Sequence, residues 1–170
     1  VDYMTTMSTG LLNIVRGENK SIKKEGIMSD AVSEVVDMFS DVATLSGKAL
    51  IACVDYCDIQ VDKEKIKQLL TVLLDNSIKY THEGDRINVK LKNTKEGCIL
   101  TVSDTGIGVD KSELELIFDR FYRAQNAKDI NGTGLGLAVA KSIVDSMDGS
   151  IKAMQNVPQG LEIDVAIKRN

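Results

Sequence analysis

Asp104-Thr-Gly-Ile-Gly108 is followed, 24 residues after its last glycine, by Gly132-Thr-Gly-Leu-Gly-Leu137. Asp104 stands at the end of an apolar run that reads as a strand. A carboxylate there accepts hydrogen bonds and donates none, which suits an exocyclic amine such as that of adenine. Gly106 and Gly108 let the backbone turn and come close to a flat ring. The plain alternative is an Asp-Gly turn closing a strand. Gly132, Gly134 and Gly136, with Thr133, Leu135 and Leu137 between and after them, lead into a helix. Bare backbone N–H groups at a helix start favour phosphate; close helix–sheet packing is the other use of such glycines. No Gly-Lys-Ser/Thr follows, which excludes a Walker loop. The spacing is not Gly-x-Gly-x-x-Gly, and no acidic residue stands about 20 positions on to hold a ribose, which disfavours a Rossmann site.

Asn76 lies at the polar end of an apolar helix, and Asp75, Asn76 and Lys79 share a face beside its leucine stripe. An amide oxygen can ligate Mg²⁺, which keeps several waters and takes one or two protein oxygens plus phosphates. Lys79 could meet a phosphate. A solvated helix face is the alternative. Phe118-Asp-Arg-Phe-Tyr-Arg123 sets two aromatics and two arginines before a polar loop. Arginine suits phosphate and carboxylate. The aromatics serve either a lid, a docking surface or the core.

The elements that must position these residues follow from periodicity. Residues 1–17 have apolar positions at helical spacing, and Gly17 to Gly26 reads as a lysine-rich linker. Ser29 or Asp30 caps a helix with a stripe at Val32, Val35, Val36, Phe39, Val42 and Leu45. Ala49–Val54 reads as a strand. Asp62 opens the next helix, with Ile66, Leu69, Leu70, Leu73 and Leu74 inward, ending near Tyr80. Arg86–Lys92 and Ile99–Ser103 form a hairpin. Short helical turns span Asp110 to Phe118, and a mobile loop spans Arg123 to Asn131. Then come a helix over Gly134–Met147 and strands near Ser150–Gln155 and Leu161–Ile167, joined by Pro158-Gln-Gly160. The class is α+β: a two-layer sandwich, with helices on one face of a mixed, mostly antiparallel sheet.

Composition bounds the partners. The 170 residues suffice for one domain with a real core, and 43% hydrophobic content is that of a globular chain. Net charge is −4, so no basic stripe argues for nucleic acid, and 4% aromatics without Trp leave no stacking platform. Cys53, Cys57 and Cys98 form no paired framework, and with the single His82 they complete no zinc site. They are expected buried and reduced, in a cytoplasmic domain. No apolar run spans a bilayer and no signal peptide is visible. The start at Val1 reads as a piece of a longer protein, with any membrane anchor outside it.

Together these stretches resemble the catalytic ATP-binding domain of sensor histidine kinases, in the GHKL ATPase superfamily with its Bergerat fold. Leu73 to Thr81 is similar to the N box, Asp104–Gly108 to the G1 box, Ile117–Ala124 to the F box and Gly132–Leu137 to the G2 box. The resemblance covers about residues 28–168, with 28–170 as the catalytic domain. It makes residues 1–18 the tail of a preceding dimerisation and phosphotransfer helix, and 19–27 a linker. It implies that Asn76 holds Mg²⁺, Asp104 binds the adenine amine, and Lys79, Tyr80 and Arg123 contact nucleotide. Gly106 and Gly108 would shape the adenine floor. Gly132, Thr133, Gly134, Leu135, Gly136 and Leu137 would shape the phosphate loop, and residues 121–133 the ATP lid. The implied partners are ATP, a histidine-bearing dimerisation domain of the same protein and a response regulator, in a homodimeric two-component sensor. Two departures matter. No phosphoacceptor motif is present, and His82 reads as an exposed turn residue, so this chain alone is not expected to autophosphorylate. Val72 stands where many such kinases carry a second Asn and related hydrolases carry an acid. Valine cannot act as general base, which favours phosphoryl transfer over hydrolysis. The alternatives are a nucleotide-binding or docking module of the same fold without kinase activity, or a GHKL-type ATP hydrolase, which Val72 disfavours.

Overall fold

The helix that carries Asn76 is held by an apolar stripe of five fully enclosed side chains, Ile66, Leu69, Leu70, Leu73 and Leu74. The computed structural model describes residues 25–169, and the expected helix over 1–17 and the start of the linker lie outside them. The described chain begins with strand β1 (Glu25–Ile27), helix α1 (Met28–Leu45), strands β2 (Ala49–Val54) and β3 (Gln60–Asp62), and helix α2 (Lys63–Lys79). Strands β4 (Arg86–Asn93) and β5 (Gly97–Asp104), helix α3 (Gly136–Asp145), and strands β6 (Ser150–Gln155) and β7 (Leu161–Lys168) follow. Short 3₁₀ turns stand at Lys111–Glu113, Leu116–Phe118 and Gln125–Ala127.

The main sheet has five strands in the order β2-β4-β5-β7-β6. Only β2 and β4 are parallel; the other neighbours are antiparallel. Inward residues alternate as the pleat requires: Ile87, Val89 and Leu91 on β4, and Ile163, Val165 and Ile167 on β7, are buried. Lys90, Lys92 and Lys168 point to the open face and are exposed. The three helices bury their stripes on the other face, in one core cluster. This is the expected two-layer α+β arrangement.

Helix α2 follows its sequence signals closely. Asp62 is its N-cap and accepts from Glu64 N at 3.2 Å and Lys65 N at 3.4 Å. Ile66, Leu69, Leu70, Leu73 and Leu74 are all buried. Helix α1 departs from expectation at both ends. Neither Ser29 nor Asp30 caps it; it starts at Met28 with no side-chain cap. Its first N–H groups find tertiary carbonyls instead, Met28 N donating to Ile59 O at 3.0 Å and Ser29 N to Cys57 O at 3.4 Å. At the other end Ala43, four residues past Phe39, takes the buried position, while Leu45 is 89% exposed.

Two further readings are corrected. Residues 25–27 are not linker: they pair antiparallel with β3, a ribbon of three residues per strand that is too short to show a period. Cys57 and Cys98 are buried as expected, but they are bonded as a disulfide with Cα atoms 6.7 Å apart, and Cys53 is free and exposed. Sequence spacing hides the pair because 41 residues separate the two. The sheet brings them together: Asp55 N donates to Leu91 O, holding the chain after β2 beside β4, where Asn93 is in register with Cys98. The cysteines therefore give no argument for a reducing compartment. Among the described residues no helix is long and apolar enough to cross a membrane.

The burial of α2 sets two stability expectations. Leu70→Ala should cost about 2–5 kcal/mol in denaturant unfolding, because the fully enclosed site cannot collapse around the void. Asp62→Ala should cost only about 1 kcal/mol, the usual value of an N-cap. Equal losses would contradict the packing described.

Candidate nucleotide site

The C-terminal turn of α2, the turn after β5 and the loop before α3 meet at one place. Asp104 ends β5 pointing inward, because it continues the buried alternation of Cys98, Leu100 and Val102. It is 3% exposed. Its Oδ1 accepts from Gly106 N at 3.0 Å and Leu161 N at 3.3 Å, and its Oδ2 accepts from Ser77 Oγ at 3.0 Å. Burial pushes its carboxyl above the ordinary 3.8, with nearby Asp85 adding to it, against the pull of the three donors.

The glycines stand where side chains would collide. A Cβ on Gly106 would lie 2.1 Å from Tyr80 O, so the turn presses on the end of α2, and Ile107 N donates to that same carbonyl at 3.0 Å. Gly108 adopts φ +67, a left-handed conformation that costs other residues strain. The glycine-rich loop lies against α2: a Cβ on Gly132 would fall 1.9 Å from Lys79 Nζ and 3.7 Å from Tyr80 Oη. Lys79 Nζ sits 5.0 Å from the Tyr80 ring centroid, within the range of a cation–π contact. Thr133 Oγ1 accepts from Leu135 N at 3.4 Å. Gly136 opens α3, with Val72 the nearest neighbour to its missing Cβ at 3.6 Å, and Leu137 packs against the core. Leu135, at the N-cap, makes no side-chain cap, so the first N–H groups of α3 lack one.

Asn76 is half-buried on the same turn of α2 as Ser77, and its amide has no partner among the described residues. Neighbouring Asp75 is also half-buried, and burial raises its carboxyl above the ordinary value while Lys79 lowers it. Among the described residues no three His, Cys, Asp or Glu groups gather to hold a metal. A lone amide oxygen still fits Mg²⁺, which usually draws most of its ligands from water and phosphate.

Arg123 is placed differently from the other expected site residues. Its Nη2 donates to Ala127 O at 2.7 Å, to Lys128 O at 2.9 Å and to Ile130 O. Its Nε is buried without a partner. The guanidinium thus folds the loop after it into a closed turn. Glu113 anchors the base of that loop, accepting from Tyr122 Oη at 2.6 Å and Gln125 N at 3.0 Å. Phe118 packs against the core, and Phe121 is 71% exposed. Phe121 N donates to Gly134 O at 3.0 Å, which ties the aromatic stretch to the glycine loop. The His82 side chain is 77% exposed in its turn.

Sequence reasoning missed Ser77, Asn156 and Gly160. Asn156 Nδ2 donates to Asp104 O at 2.7 Å. A Cβ on Gly160 would come within 1.8 Å of that carbonyl oxygen. The β6–β7 turn is therefore the wall that holds Asp104. Its Pro158-Gln-Gly160 signal was legible as a turn, but nothing in it points 50-odd residues back along the chain to Asp104.

With the geometry in place, comparison with known proteins is specific. Residues 61–170 match the family described as histidine kinase-, DNA gyrase B-, and HSP90-like ATPase. Sensor protein CiaH of Streptococcus pneumoniae serotype 4 is 35% identical over 182 residues, covering 99% of this chain and 39% of CiaH. The chain thus spans about two fifths of that curated relative. Among solved structures, the catalytic domain of histidine kinase ThkA, in a nucleotide-free form, matches with TM-score 0.75 at 24% identity, covering 86% of this chain and 97% of that one. Full-length ShkA in complex with AMPPNP matches with TM-score 0.78 at 22% identity, over 99% of this chain and 37% of that one. These likenesses match the fold, and the family match covers most of the chain, including every residue of the site. The chain belongs to the family of histidine kinase-, DNA gyrase B- and HSP90-like ATPases.

Proposed function

We propose that this domain binds Mg-ATP and delivers the γ-phosphoryl to a histidine on a separate helical domain, from which a response regulator takes it. The observation that carries the reading is Asp104: a buried carboxylate held by three donors, at the junction where the Gly132 loop closes on Lys79. A buried carboxylate with spare acceptor capacity matches an exocyclic amine. Lys79 and the uncapped start of α3 match the phosphates. The ShkA complex with AMPPNP supports placing a nucleotide on this fold.

Asn76 is the residue that would hold Mg²⁺. The ion would neutralise phosphate charge as the γ-phosphoryl leaves. Tyr80 braces Lys79, and the lid folded by Arg123 excludes water from the phosphates. Val72 is apolar and packed against the core, so it offers no base to activate water. That favours transfer to an acceptor over hydrolysis. His82 is the chain's single histidine, and it lies in a turn rather than on a helical bundle. By likeness to CiaH and its kind, the intact protein would be a homodimeric sensor whose cytoplasmic part includes this domain.

Calorimetry with an ATP analogue and Mg²⁺ tests the site. Asp104→Asn should weaken binding about 10- to 100-fold, the worth of a hydrogen bond to a charged group, while the fold survives. Unchanged affinity would refute the adenine assignment. The pH dependence has a definite sign. The folded pKa of Asp104 lies above 3.8, so the folded state takes up its proton first as pH falls, and keeping the charge buried costs stability at higher pH. The carboxylate is the form that accepts the amine. The advantage of the parent over Asp104→Asn should therefore be full well above that raised pKa and shrink as pH falls through it. An advantage that grows on acidification would reverse the assignment. Phosphoryl transfer is tested by adding a histidine-bearing helical domain in trans: acid-labile phosphate should appear on that domain and not on this chain. Rapid multiple-turnover phosphate release by this chain alone would point to a hydrolase instead.

A further inference from the structure

Ser77 is one of two buried serines of these helices whose hydroxyl leaves its own helix; the other, Ser29 in the first turn of α1, donates its Oγ–H to Cys57 O at 3.3 Å. Ser40, Thr44, Ser46 and Thr81 all donate to the carbonyl four residues back, at 2.7–2.9 Å, the usual local sink for a helical hydroxyl. Ser77 is 4% exposed and donates instead across to Asp104 Oδ2 at 3.0 Å. The other carboxylate oxygen, Oδ1, already accepts from two backbone N–H groups. Ser77 is thus the sole partner of Oδ2 among the described residues, and that oxygen keeps room for one more donor.

The geometry points to Ser77 as a second base-reading residue: with Asp104 it forms an adjacent donor–acceptor pair complementary to the Watson–Crick edge of adenine. This rests on the nucleotide reading above and deepens it. The exocyclic amine of adenine donates to Oδ2. The serine hydroxyl has one hydrogen and rotates freely about its C–O bond. Once the amine supplies Oδ2, that hydrogen turns to the ring nitrogen N1, which is an acceptor. The bond Ser77 gives up is replaced, and a second one forms with the base. Guanine and hypoxanthine present a carbonyl oxygen to the same carboxylate, so acceptor meets acceptor, and they are rejected. Ser77 is then a specificity residue, and its loss is felt only by bases that carry N1 as an acceptor.

The test measures ATP and its 1-deaza analogue, in which a C–H replaces N1, by calorimetry. Both are titrated into the parent, Ser77→Ala and the nearly isosteric Ser77→Cys, with thermal unfolding run on each variant. The parent should prefer ATP by about three- to tenfold, the range of one neutral hydrogen bond. Both variants should bind ATP at the weaker level and bind the 1-deaza analogue as the parent does. Equal losses for both nucleotides would make Ser77 a support for Asp104 alone and overturn the inference, as would a parent that binds the two nucleotides equally. The parent comparison needs no variant, so it decides even where a variant misfolds. A folded parent that binds neither nucleotide would refute the underlying nucleotide reading and the inference with it.

Discussion

The site depends on one buried carboxylate. Asp104 is almost wholly removed from water, an arrangement that is costly unless the charge is hydrogen-bonded. Its three donors come from three separate parts of the chain: Ser77 on α2, Gly106 in the turn after β5, and Leu161 at the start of β7. Satisfying the carboxylate therefore joins the helix layer to the sheet at the point where a ligand would enter. Removing any one donor leaves the charge less compensated and pushes its pKa further up.

Close backbone approach is the second constraint, and it follows from the first. For Leu161 N to reach Asp104, the β6–β7 turn must press on the Asp104 carbonyl, and only a residue without a side chain fits at Gly160, where φ is +115. Gly106 meets the Tyr80 carbonyl in the same way, and Gly132 meets the Lys79 ammonium. These contacts set the distances between Asp104, the end of α2 and the glycine-rich loop. The loop after Arg123 is more loosely attached: Arg123 closes it on its own carbonyls, and it reaches the turn after β5 through Asn126. A segment held mainly by its own hydrogen bonds can reorganise at low cost relative to the core.

The elements that are long and periodic are legible in the chain itself. Helix α2 carries its cap, its stripe and its polar end in consecutive residues, and β4 and β7 carry clean alternation. Where tertiary contacts replaced local ones, reading failed. The start of α1 is capped by carbonyls of the β2–β3 connection, so the serine and aspartate nearby are not its caps. β1 and β3 exist because each pairs with the other, not because either has a pattern. Cys57 and Cys98 meet through the register of β4 and β5, which no spacing records.

The same division runs through the site. The residue types and their order determined the chemistry available: an acceptor-only carboxylate beside glycines, a lone amide, a lysine and a glycine-rich helix start, with no acid or amide at Val72. Those are covalent facts of the chain, independent of how it folds. Tertiary structure alone decided which groups face one another. It set Ser77 on Asp104 rather than on its own helix, brought Asn156 and Gly160 to the main-chain carbonyl of Asp104, and turned Arg123 onto the carbonyls of the loop that follows it. Each of these depends on the sheet order and on bringing distant segments within hydrogen-bonding distance, where direction and separation are set by packing and not by position along the chain.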